Sequence, residues 1–97
     1  MEGIKKKKRY SDESVIEMLI STYPDSITVE EGRVCFDETC ETMAQSIMEN
    51  FDTGRQKYYF AREFEGYNDC LYYLRNTLSR LWEKCQEFVD NHSDHYE

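Results

Sequence analysis

Tyr67, Leu71, Leu74, Leu78, Leu81, Cys85 and Phe88 recur at steps of four, three, four, three, four and three residues. That is the spacing of an apolar seam along one side of an α-helix, sustained for three heptads. Cys70, Trp82 and Val89 widen it. The pattern predicts a helix from about residue 67 to residue 90, about 36 Å long at 1.5 Å per residue. A chain of 97 residues has an expected radius of gyration of about 13 Å, too small to cover such a helix throughout. The seam then serves either as a core for the chain's other helices or as a contact between two copies.

The rest of the chain supplies elements to pack on it. Ser11 is placed to cap a first helix, with Asp12 and Glu13 against its positive end and Val15, Ile16, Leu19 and Ile20 on its apolar face. Pro24 stops it, because Tyr23 is pushed out of the α region. Ile27–Val29 and Arg33–Phe36 flank Glu30-Glu31-Gly32 and read as a hairpin. Asp37 or Thr39 caps a second helix whose stripe is Cys40, Met43, Ala44, Ile47, Met48 and Phe51. Asp52-Thr53-Gly54 ends it. Residues 55–64 suit either a strand or a helix, with the balance toward helix, and Gly66 breaks either. The fold class expected is α+β, mainly α: three or four helices packed around a long C-terminal helix, with one short β-hairpin. Residues 11–91 form one small helical domain, residues 1–10 a disordered basic tail, and residues 92–97 a frayed polar tail.

Charge divides along the chain. Lys5, Lys6, Lys7, Lys8 and Arg9 are consecutive, and residues 10–97 hold 7 basic and 19 acidic side chains, a formal charge of −12. That exceeds the magnitude of about 2–8 ordinary for a small soluble domain, and self-repulsion on this scale opposes folding. Glu38, Glu41, Gln45, Glu49 and Asp52 follow the side of the second helix opposite its apolar stripe. Carboxylates at such steps lie about 5–6 Å apart, which approximates the spacing of nucleic-acid phosphates. Tyrosine is frequent, with 8 of the 97 residues, and tyrosine among acids makes a good protein contact: large area, a polar tip and little entropy to lose. Glu38, Glu41, Glu49, Tyr72 and Tyr73 are the expected partner-binding residues.

Several classes of function find no support. Cys35 and Cys40 lack a second pair for a zinc site, and His92 and His95, the only histidines, sit in the terminal tail. No phosphate-cradling glycine loop occurs. No catalytic residue, metal ligand or cofactor is therefore assigned, and the chain is not read as an enzyme. Cys40, Cys70 and Cys85 lie on helical stripes and Cys35 in an apolar run, so all four are expected as small hydrophobes and not as disulfides. No apolar stretch follows Arg9 as in a secretion signal, and none is long enough to span a bilayer, so a cytoplasmic, intracellular protein is expected. The basic run suits nucleic acid, anionic lipid or import into a nucleus, whereas the acidic body repels DNA.

In composition the chain resembles phage-encoded anti-restriction and anti-CRISPR proteins and the immunity proteins that neutralise nuclease toxins. The resemblance carries no residue across. It implies an inhibitor that blocks a basic nucleic-acid-binding site on a partner, a nuclease or other nucleic-acid-binding protein, by imitating DNA. The alternative is a homodimeric structural or regulatory adaptor that associates through the C-terminal heptad helix.

Overall fold

Ser11 opens the first helix as its sequence predicts: its hydroxyl oxygen accepts the Ser14 N–H at 3.1 Å, and Asp12 and Glu13 occupy the first turn of α1 (Asp12–Thr22). A computed structural model describes residues 11–60 and 62–96; the run Lys5–Arg9, and the expected disorder of residues 1–10, lie outside the described residues. Val15, Ile16, Leu19 and Ile20 are buried. Tyr23 leaves the helix ahead of Pro24, and a 3-10 turn follows over Pro24–Ser26.

The hairpin is present but short. β1 (Val29–Glu30) pairs antiparallel with β2 (Arg33–Val34), Val29 opposite Val34 and Glu30 opposite Arg33. Glu31 at φ 53° and Gly32 at φ 81° form the two-residue turn, the left-handed pair of a type I′ hairpin. Ile27 and Phe36 fall outside the ladder. Thr39, considered as a helix cap, instead ties down the approach to β1: its hydroxyl accepts the Thr28 N–H at 2.9 Å and donates to the Thr28 carbonyl at 3.3 Å.

α2 (Phe36–Asn50) buries Thr39, Cys40, Met43, Ala44 and Ile47, and packs on α4 (Tyr67–Arg80), which buries Cys70, Leu74, Thr77 and Leu78. Between them lies α3 (Thr53–Phe60). Asp52 begins α3 and does not merely end α2, its carboxylate accepting the Arg55 N–H at 3.0 Å. Residues 55–60 are thus helical and residues 62–64 irregular. Buried Gln56 holds that irregular stretch, accepting from the Phe64 N–H at 2.9 Å and donating to the Phe51 carbonyl at 3.4 Å.

The C-terminal helix is not continuous. It breaks at Leu81 (φ −120°, ψ 25°), and α5 (Trp82–Asn91) departs in a new direction. The break lets α5 cover the chain instead of projecting from it. Gln86 accepts from the Val34 N–H at 2.9 Å and donates to the Gly32 carbonyl at 2.8 Å, closing the outer edge of β2 as a third strand would. Leu74, Leu78 and Cys85 of the heptad seam are buried in the chain's own core. The tail expected to fray folds back: Tyr96 donates to the Pro24 carbonyl at 2.8 Å, His95 meets Asp25 at 2.8 Å, and His92 stacks on Phe88. The class is as expected, mainly α with one hairpin.

Two substitutions check this arrangement. Leu78→Ala should lower the unfolding free energy by about 2–5 kcal/mol in denaturant titration; an unmoved midpoint would mean the seam is not buried. Glu31→Asn should raise it by about 0.5–1 kcal/mol, since asparagine tolerates the left-handed region better than glutamate. A loss of stability would contradict the turn type.

Candidate partner-binding surface

α2 owes its charged side to its apolar one. With Cys40, Met43, Ala44 and Ile47 fixed against α4, helical geometry sends Glu38, Glu41, Gln45 and Glu49 to solvent, and all four are exposed. Asp37, Glu38, Glu41 and Glu49 span about 18 Å of helix axis. That is a mean step of about 6 Å, less dense than the phosphate repeat of about 3.4 Å along one DNA strand.

The acidic surface continues past the helix. Cys35, half-exposed between β2 and α2, has its thiol pKa raised by desolvation and by the carboxylates of Glu30 and Glu38. Its Sγ lies 3.6 Å from the Glu30 carboxylate. Glu30 of the hairpin therefore adjoins the start of α2, a contiguity that strand and helix patterns read separately do not show.

One basic residue interrupts the face. Arg75 of α4 reaches Asp37 at 3.9 Å and Glu41 at 3.8 Å. Both contacts are long and exposed, so each contributes at most about 1 kcal/mol. Glu49 takes a hydrogen bond from the Gln45 amide at 3.3 Å. Among the described residues neither Glu38 nor Glu49 has an ion-pair partner.

The two neighbouring tyrosines part company. Tyr72 is 70% exposed and stands one helical turn from Arg75, on the outer side of α4. Tyr73 turns the other way, its ring 5.3 Å from Phe64 and 6.4 Å from Phe60, with the Arg62 guanidinium 5.6 Å from its centre. Burial raises its pKa. Of the five expected contacts, Glu38, Glu41, Glu49 and Tyr72 are exposed on α2 and α4, whereas Tyr73 packs with the aromatic cluster on α3. Arg75 was not expected there. Its link to Asp37 and Glu41 spans more than 30 positions of chain, which no local pattern reveals.

Three of the four free thiols are buried. Burial pushes the thiols of Cys40 and Cys70 up to about 12 and that of Cys85 to about 11, so these three stay protonated at neutral pH. Among the described residues no group of three or more His, Cys, Asp or Glu is placed to hold a metal ion. No helix there is long and apolar enough to cross a membrane.

The two tyrosines give a sharp contrast. Tyr73→Ala should destabilise by about 2–4 kcal/mol through the lost aromatic contacts, and Tyr72→Ala by less than about 0.5 kcal/mol. Equal losses in thermal or denaturant unfolding would contradict the placement. The chain matches no protein-family model, no curated protein and no solved structure.

Proposed function

We propose that this protein is a small intracellular inhibitor that binds another protein, its acidic face occupying a basic nucleic-acid-binding site in place of DNA. The observation that carries the reading is the disposition of its cations. Arg62, Arg75, Arg80, Lys57 and Lys84 form ion pairs within the chain, and Arg33 and Arg55 lie over the rings of Trp82 and Phe51. Each of the seven cationic side chains among residues 11–96 is thereby engaged. Glu31, Glu38 and Glu49 are exposed and form no ion pair among the described residues, and the ring of Tyr72 on α4 is exposed as well.

Such a surface loses stability to self-repulsion and regains it when a positive partner covers it. The aromatic ring supplies the contact area that charge alone lacks. Anti-restriction, anti-CRISPR and nuclease-immunity proteins, which the chain resembles in composition, act on partners of this kind. Nothing in the proposal requires a cofactor or a catalytic step.

The test is capture of a basic nucleic-acid-binding protein from nuclease-treated lysate, followed by competition with duplex DNA. DNA should displace the protein, and Glu38→Lys with Glu49→Lys should weaken binding by tenfold or more, about 1.4 kcal/mol, while leaving the unfolding midpoint nearly unchanged. Affinity at low salt that ignores both the DNA and the double reversal would overturn the proposal.

A further inference from the structure

α1 and α5 run in the same direction, with Glu13 beside Lys84 at one end and Asp25 beside His95 at the other. Between these contacts the two helices leave a groove of about 390 Å³. Its floor includes Ile16, Ile20 and Phe88, and its acidic rims are Glu17 on α1 and Glu87 on α5. A second depression of about 390 Å³ prolongs it past Pro24 to His95, sharing Ile20 and Phe88. The groove thus follows the helix direction and is apolar below and charged above.

Its carboxylates outnumber its cation. Lys84 is the cation of the groove, and Glu13 holds its ammonium in an ion pair. Glu17 and Glu87 also act on that ammonium, and together with Glu13 they keep its pKa raised. Three carboxylates therefore face one cation, and among the described residues neither Glu17 nor Glu87 forms a direct ion pair. An occupant complementary to this groove carries an apolar side chain flanked by positive ones at helical spacing, as in recognition of an amphipathic helix. The body of a second copy is a poor match: α1, α2 and α5 expose mainly carboxylates, and the exposed cations of α3 and α4 (Lys57, Arg75, Arg80 and Arg55) are engaged within the chain by carboxylates or by the Phe51 ring.

We infer that the α1–α5 groove is a docking site for an amphipathic basic helix of a partner protein. Its apolar residue packs over Phe88 and Ile20, and its Arg or Lys side chains meet Glu17 and Glu87. This site is separate from the acidic face of α2 and stands without it.

The probe is a synthetic peptide of Leu and Lys arranged to make one apolar helical face, titrated into the full chain and followed by amide NMR shifts. A scrambled peptide of equal composition is the control. Shifts should concentrate at Glu17, Ile20, Lys84, Glu87 and Phe88, and the scrambled peptide should bind at least tenfold more weakly. Glu17→Gln with Glu87→Gln should weaken binding about tenfold, whereas Glu38→Gln with Glu49→Gln should change it less than about twofold. Several results would overturn the inference. Shifts centred on α2, or equal binding of the scrambled peptide, would mean non-specific attraction to negative charge. Groove resonances that move on deleting residues 1–9 would assign the groove to the chain's own basic segment, and movement on dilution would assign it to a second copy. The two pairs of variants keep failure here distinct from failure of the acidic α2 face.

Discussion

Cys40, Met43, Ala44 and Ile47 of α2 are sealed against α4, where Leu74 and Leu78 are almost wholly buried. That contact leaves α2 no rotational freedom, and so it decides which carboxylates meet solvent. Rotation by one residue, about 100°, would carry a carboxylate toward the core, where an unpaired charge costs several kcal/mol. The acidic face is therefore a consequence of apolar packing. Other parts of the fold rest on the same pair: Phe51 anchors the aromatic cluster beneath α3, and α5 turns from the end of α4 to reach the hairpin.

Charge then separates the molecule into compensated and uncompensated regions. Arg62 holds Asp69 at 2.8 Å; hydrogen bonding from the Glu65 N–H and contact with Arg62 keep that carboxyl below its usual range. Arg80 ties α4 to Asp12, and Lys84 ties α5 to Glu13. The last two pairs join elements far apart in sequence, and all three use the body's few cations for architecture. What remains outside is negative: the hairpin tip, the outer side of α2 and the rims of the α1–α5 groove. The proposed role rests on this division, in which the cations are held by the chain's own side chains at its surface while many carboxylates are not.

Local rules read much of this from the residues. The Ser11 cap, the stop before Pro24, the Gly32 turn and the stripe on α2 each depend on neighbours within a few positions, and each was legible. The break at Leu81 was not. The heptad spacing runs through it without Gly or Pro, and only the gain from covering β2 and α1 favours the bend. Asp52 was ambiguous because one acidic residue can follow one helix and cap the next. Tyr72 and Tyr73 are about 100° apart on the helix, and composition cannot say which of them finds Phe60 and Phe64. The Arg75 bridge and the groove depend on how separate helices meet, which periodicity does not encode.

The claim beneath both proposed surfaces is that the body carries negative charge its own side chains do not neutralise. The thermal unfolding midpoint from about 10 mM to about 0.1 M salt tests it, as the screening length falls from about 30 Å to about 10 Å. Ion pairs such as Arg62–Asp69, in direct contact, are screened little over this range, whereas repulsion between separated carboxylates is screened strongly. A rise of about 4 °C or more, equivalent to about 1 kcal/mol for a chain of this size, is the predicted result. A midpoint that stays level or falls would show that the carboxylates are already compensated within the fold, and would remove the physical basis for an acidic binding surface.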